Sequence, residues 1–229
     1  MFNNTFRYFD KLRLNGNNIY KYVKYTPITH GYNISKITNN NILYKREDMQ
    51  ITNSFNIRGA CLKINSLNRN IVKNGLIVAS TGNHAQAIAY LSNILKIHST
   101  ILMPKHTPKI KINSVNNFGN KYTKVILYGD CYNDCYDKIL HDNKFLNKTI
   151  IQAFDDNYII AGNSTIGYEI YREYKNINKI FVPIGGGGCI AGIAVAIKYL
   201  DPNIKIIGVQ AENSASMYES IKQKKIISL

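Results

Sequence analysis

Short apolar runs of strand character alternate with amphipathic helical stretches along nearly the whole chain, and three of these runs lead directly into turns of glycine and small polar residues. Strands separated by helices line up as a parallel sheet with helices on its faces, so the fold class is α/β. Residues 42–45 read as a short strand, and Ile57, Ala60, Cys61, Ile64 and Leu67 then fall on one helical stripe. Gly75 opens a strand over 76–79, and residues 83–96 carry a second amphipathic helix. A strand over 99–103 is stopped by Pro104, and a helix over 109–118 ends at Gly119 in the place of a C-terminal glycine. A further strand and helix occupy 124–140, a long helix 157–174, a buried strand 180–184, a helix 190–200 closed by Asp201 and Pro202, and a last strand 204–210.

The longest apolar runs fall far short of the roughly 18 to 20 residues needed to cross a bilayer, and the first residues lack the apolar core of a secretory signal. The expected address is the cytoplasm, with no membrane partner. Cys61, Cys131, Cys135 and Cys189 form neither a disulfide framework nor a CxxC pattern, which fits a reducing compartment. No ligand spacing for a metal is found, so none is expected. A net charge of +15 raises nucleic acid as a partner. The basic residues, however, are 23 Lys and only 6 Arg, scattered beside 30 Asn and 36 Ile. That is the mark of an AT-rich coding sequence rather than of selection for arginine's bidentate contacts. A basic nucleic-acid-binding protein is therefore the lowest-ranked reading.

The three glycine and small-polar turns carry the chemistry, because open α/β sheets bind ligands at the carboxyl ends of their strands. Gly185, Gly186, Gly187 and Gly188 lie between a strand and a helix. Successive backbone N–H groups and the helix N-terminus can converge there on an anion such as a phosphate; the alternative is a flexible turn. The pattern is neither GxGxxG nor a P-loop. Ser80, Thr81, Gly82, Asn83 and His84 form a second strand-to-helix turn. It reads first as an N-terminal cap, and it is also able to hold a carboxylate, with Asn83 offering an amide donor. The third segment runs over residues 45–60, KREDMQITNSFNIRGA.

Taken together and in this order, the three segments resemble the threonine dehydratase (threonine ammonia-lyase) family of fold-type II pyridoxal-phosphate enzymes, whose motifs look like KREDxQxxxSFKxRGA, SxGNHAQ and GGGG. The likeness continues through residues 154–162 and 210–215 and covers almost everything from about Thr26 onward. The resemblance implies a tryptophan synthase β-like fold of two parallel-sheet lobes. Residues 1–65 and 152–229 would form the larger, cofactor-binding lobe, and residues 66–151 a smaller mobile one. It implies pyridoxal 5'-phosphate as cofactor, with Gly185, Gly186, Gly187 and Gly188 on its phosphate, Phe55 beside its ring and Asn83 on its ring hydroxyl. Ser80, Thr81, Gly82, Asn83 and His84 would receive the substrate carboxylate. The implied reaction is the PLP-dependent β-elimination of L-threonine to 2-oxobutanoate and ammonia in isoleucine biosynthesis, performed by a homo-oligomer on a small amino acid.

Two departures bear on that implication. Where the family carries the Schiff-base lysine of SFK, this chain carries Asn56. A carboxamide has neither an amine nucleophile nor useful basicity near neutral pH, so the activity is expected to be impaired and any cofactor to be held non-covalently. Lys63 stands seven residues on, almost two helical turns away. The family's chain also runs past the position of Leu229, so the larger lobe is expected to be incomplete and no regulatory domain to follow. The alternatives are a catalytically inactive pseudoenzyme or a subunit completed by a second polypeptide.

Overall fold

The computed structural model describes residues 19–227. The chain divides into two compact units, Ile19–Gln152 and Met1–Asn18 with Ala153–Leu229. Residues 1–18, assigned by family resemblance to the larger lobe, and residues 228–229 lie outside the described residues.

The unit Ile19–Gln152 begins with a small antiparallel pair, β1 (Ile28–His30) and β2 (Leu43–Lys45), joined through α1 (Tyr32–Thr38). The helix α2 (Asn56–Ser66) and a short helix α3 (Arg69–Val72) lead into the main sheet. Its strands are β3 (Leu76–Ala79), β4 (Ser99–Met103), β5 (Thr123–Leu127) and β6 (Thr149–Ile150), in the order β5-β4-β3-β6 and parallel throughout. Register follows from the aligned strand starts: Leu76 faces Ser99 and Thr149, and Ser99 faces Thr123. The crossovers are α4 (Asn83–Leu95), α5 (Lys109–Gly119) and α6 (Tyr132–His141). Every residue of β3 and β4 is buried, as parallel strands covered on both faces must be. The stripe expected on α2 is the buried one, with Ile57, Ala60, Cys61 and Ile64 inside and α2 packed against α4. Residues 19–65 thus cluster with 66–152 in one unit, and the change of unit falls between Gln152 and Ala153.

Gly119 has a different reason from the one expected. The positive-φ position at the end of α5 is taken by Asn120, at φ 47° and ψ −140°. Gly119 is instead demanded by close approach, since a Cβ there would lie 2.2 Å from Thr123 Oγ1.

The second unit holds α7 (Asn157–Glu173), β7 (Lys179–Pro183), α8 (Gly188–Leu200), β8 (Lys205–Val209) and α9 (Ser216–Gln223). Asp156 caps α7 by accepting from the N–H groups of Tyr158 and Ile159. Gly192 and Gly167 let α7 and α8 touch: a Cβ on Gly192 would meet the Ile160 carbonyl at 2.5 Å, and one on Gly167 the Ile193 carbonyl at 2.9 Å. β7 and β8 pair in parallel from Lys179 opposite Lys205 to Pro183 opposite Val209. The strand expected to be buried is only partly so: Val182 is inside, whereas Phe181 is 60% exposed. Among the described residues β7 and β8 have only each other as strand neighbours, and an apolar run stays exposed on any face that nothing covers.

Candidate cofactor and substrate site

Within the first unit, the charged residues around α2 build a buried clamp rather than a ligand site. Arg58 is fully buried and donates from Nε and Nη2 to the two oxygens of Glu47, both at 2.8 Å. Its Nη2 also reaches Thr26 Oγ1 at 3.2 Å and the Lys24 carbonyl at 3.4 Å, while Thr26 donates to Glu47. Gln50 exchanges two bonds with the Lys24 backbone, at 2.6 and 3.1 Å. A guanidinium out of water needs such complete satisfaction, and the satisfaction fixes the loop before α2. Sequence reasoning saw KRED and RGA as motif letters; their spacing alone gave no sign that Glu47 and Arg58 meet.

That loop delivers residues 52–56. Asn53 takes φ 54°, Phe55 occupies the N-cap position and Asn56 is the first residue of α2. The hydroxyls of Thr52 and Ser54 are buried without a hydrogen-bond partner. Asn56 stands at the positive end of the helix dipole, where a cation is disfavoured and an amine would be biased toward its neutral, nucleophilic form. The carboxamide found there has no such chemistry to bias.

The turn after β3 is held by its own serine. Ser80 Oγ accepts from the N–H groups of Gly82 at 3.4 Å and Ala85 at 3.3 Å, so its oxygen serves as the cap. The first-turn N–H groups of Asn83 and His84 stay open, and a Cβ on Gly82 would meet nothing within 4 Å. His84 is buried, and desolvation pushes its pKa down to about 4 despite a hydrogen bond to the Ile151 backbone, so the imidazole is neutral near pH 7. Its Nε2 has no partner.

In the second unit the glycine loop leaves β7 and enters α8. Gly187 is the left-handed N-cap, at φ 88°, and Gly188 begins the helix. A Cβ on Gly186 would fall 2.4 Å from the Phe154 ring, and one on Gly188 2.8 Å from the Phe154 carbonyl. A Cβ on Gly185 would meet nothing within 4 Å. Two of the four glycines are therefore required by the Phe154 wall, one by backbone conformation, and the fourth faces open space. Asn163 Nδ2 donates to the Gly188 carbonyl at 3.3 Å and steadies the loop, while Asn163 Oδ1 is buried without a partner. A loop of N–H groups at the positive end of a 13-residue helix fits a phosphate. The glycine loop thus fits the phosphate of a phosphate-bearing cofactor. Phe55, Asn56 and the turn 80–84 belong to one unit and the four glycines to the other.

A separate hollow of about 830 Å3 in the first unit, lined among others by Lys105, Tyr128, Asp134, Lys138, His141 and Lys144, contains none of the motif residues. Its charges answer one another: Lys138 pairs with Asp142 at 2.9 Å, and Asp134 accepts from the Asp130 and Cys131 N–H groups. No cluster of His, Cys, Asp and Glu able to hold a metal occurs among the described residues. No helix among them is long and apolar enough to cross a membrane.

The family described as "Pyridoxal-phosphate dependent enzyme" matches residues 19–229. The chain is 40% identical over 208 residues to the biosynthetic L-threonine dehydratase of Halalkalibacterium halodurans, covering 90% of this chain and 50% of that protein. It is also 40% identical over 223 residues to the mitochondrial threonine dehydratase of Schizosaccharomyces pombe, covering 96% of this chain and 37% of that protein. It thus spans about half the length of such relatives, or less. Among solved structures, the processed threonine deaminase isoform 2 of Solanum lycopersicum superposes with a TM-score of 0.91 at 36% identity, over 99% of this chain and 61% of that one. Maize serine racemase superposes with a TM-score of 0.89 at 28% identity, over 96% of this chain and 66% of that one.

Proposed function

The chain belongs to the threonine dehydratase family of fold-type II pyridoxal-phosphate enzymes, and on that premise we propose that it binds pyridoxal 5'-phosphate non-covalently and is impaired in the family's β-elimination of L-threonine to 2-oxobutanoate and ammonia. The single observation carrying this reading is the contrast between an intact anion-binding loop at Gly185, Gly186, Gly187 and Gly188 and a carboxamide, Asn56, at the start of α2. The cofactor's ring, when bound, supplies the electron sink for loss of the substrate's α-proton.

Each residue then has a stated part. The N–H groups of the four glycines and the dipole of α8 hold the phosphate, and Phe154 shapes the loop that presents them. When the cofactor binds, Phe55 would lie beside its ring and Asn83 would donate to its hydroxyl. The turn of Ser80, Thr81, Gly82, Asn83 and His84 holds the substrate carboxylate through the open N–H groups of Asn83 and His84, with Ser80 fixing the turn. Asn56 neither anchors the cofactor nor moves a proton. The larger lobe of residues 1–65 and 152–229 and the smaller lobe of 66–151 describe the division that the whole enzyme would use when it closes. Isoleucine biosynthesis is the role of this reading, supported by the biosynthetic relative. A cytoplasmic site of action belongs to the same reading.

A second reading, a non-catalytic subunit completed by another polypeptide or by its own copies, is favoured by the exposed apolar side chains of Phe181, Val209, Tyr218 and Ile221. One assay of the purified chain, with and without added cofactor, tests the first reading. Threonine-dependent 2-oxobutanoate is expected from neither the wild-type chain nor its mixtures with free cofactor. Sustained formation by the wild type would overturn the impairment, and failure of the chain to bind the cofactor at all would overturn the binding.

A further inference from the structure

Four consecutive glycines, Gly185 to Gly188, have no side chains by which packing could hold them, and glycine loses more backbone freedom on folding than any other residue. A loop of this composition binds an anion well only when something outside it fixes the directions of its N–H groups before the anion arrives. Phe154 walls the loop at Gly186 and Gly188. The two ends are held in another way, each by a side-chain carboxamide. Gln210 Nε2 donates at 3.3 Å to the carbonyl of Ile184, the residue before the first glycine. Asn163 Nδ2 donates at 3.3 Å to the carbonyl of Gly188, the last one.

Both carboxamides are themselves fixed. Gln210 Oε1 accepts from the Tyr218 N–H at 3.0 Å and its Nε2 also reaches the Ser214 carbonyl at 3.5 Å, so this side chain ties the end of β7 to the start of α9. The tie brings Met217 beside the loop, where a Cβ on Gly187 would come within 3.0 Å of Met217 Cε. Asn163 is 2% exposed in α7, and a Cβ on Gly192 of α8 would lie 2.8 Å from Asn163 Cβ. Asn163 Oδ1 has no partner, and turning the amide over would set two oxygens against each other. A leucine would fill the same space without stranding an acceptor, so packing does not call for an amide here. The bond to Gly188 does.

A trans peptide is planar, and its C=O and N–H point in opposite directions. Holding the Ile184 carbonyl therefore aims the N–H of Gly185, the glycine beside open space, and holding the Gly188 carbonyl aims the N–H of Cys189 in the first turn of α8. A hydrogen bond to a peptide oxygen also polarises the group and makes its N–H the stronger donor. We propose, resting on the phosphate-loop reading above, that Asn163 and Gln210 are positioning residues that pre-set the glycine loop for the cofactor's phosphate, acting through the peptide groups at its two ends.

The test is calorimetric titration of the purified chain with pyridoxine 5'-phosphate and with pyridoxine, neither of which carries an aldehyde that reacts with lysine. The wild type is expected to prefer the phosphate ester by about 100-fold. Asn163→Leu and Gln210→Met keep the charge and nearly the shape but lack the donor. Each is expected to cut the preference to about tenfold and to leave the affinity for pyridoxine where it was. Damage to the fold in general weakens both ligands together, so the ratio is the readout that a merely structural role does not move. An unchanged ratio in both variants overturns the proposal while leaving the glycine loop standing as the phosphate site. Equal affinity for the two ligands in the wild type, or binding of neither, overturns the phosphate loop and the proposal with it. Should the variants fail to fold, backbone 15N order parameters of Gly185 to Gly188 in the ligand-free wild type decide: values near the roughly 0.85 of rigid backbone are expected, and values below about 0.6 contradict a loop set in advance.

Discussion

The two parallel sheets are made of the same kind of sequence and end in different states. β4 and β7 are both five-residue apolar strands followed by helices, yet every residue of β4 is buried while β7 buries Val182 and leaves Phe181 60% exposed. The difference is neighbours: β4 lies between β3 and β5, whereas β7 pairs with β8 alone among the described residues. Apolar content licenses burial; adjacent strands and covering helices deliver it. The functional loops divide in the same way. The turn at 80–84 grows from a fully buried strand, β3, and the glycine loop from the mostly exposed β7.

This contrast predicts a ranking of stability effects. Arg58→Ala, which strands the mostly buried Glu47, should cost most, about 4 kcal/mol by denaturant unfolding, and Arg58→Lys should recover little because one ammonium cannot replace the fork. Leu102→Ala in β4 should cost about 3 kcal/mol, since Leu102 is wholly buried in the cluster with Ile77, Ala79 and Ile139. Equal costs for Leu102→Ala and Phe181→Ala would break the comparison outright.

Acid should act through His84 on the covered unit. Its folded pKa is depressed from 6.5 to about 4, so its contribution is fully present above pH 6.5 and is lost as the pH falls toward 4, when the unfolded chain binds the proton and the folded one resists it. The loss across that window should be on the order of 3 kcal/mol and should vanish in His84→Gln. A flat profile between pH 6.5 and 4 would contradict the buried neutral imidazole.

The smallest effects belong to the sparse unit. Gly187→Ala forces a side chain into φ 88° and should cost about 1 kcal/mol while weakening phosphate binding. Phe181→Ala should cost less than about 0.5 kcal/mol, because its ring is mostly in solvent already. Amide hydrogen exchange sharpens the same point, with β3 and β4 expected to be protected longer than β7 and β8.

How far the sequence could be read follows the same physics. The strand over 99–103 and the helix beginning at Asn83 were legible to the residue, because continuous apolar runs bounded by Pro104 and by a small-polar turn leave few alternatives. The antiparallel pair β1 and β2 was half seen: three-residue strands with polar neighbours carry no period. α9 was missed although Met217 and Ile221 stand at helical spacing, because the segment Ser216–Gln223 is only eight residues long and follows no clear turn signal. The exposure of Phe181 was illegible because a strand's composition does not record how many strands lie beside it. Glycine was read as conformational freedom at Gly119, where the true demand is contact with Thr123, a long-range fact of packing. The site motifs were legible as anion-binding turns, but the clamp of Glu47 on Arg58 and the bare Nε2 of His84 depend on who meets whom in three dimensions.

The central proposal is that the glycine loop after β7 binds the cofactor's phosphate although Asn56 offers no amine for a covalent bond. Titration of the wild-type chain and of Asn56→Lys with pyridoxal 5'-phosphate, followed by borohydride reduction and mass spectrometry, tests it most directly. The account predicts saturable binding to both chains and a reduced covalent adduct in Asn56→Lys alone, mapped to residue 56. An adduct on another lysine of the wild-type chain would contradict it, as would failure of both chains to bind.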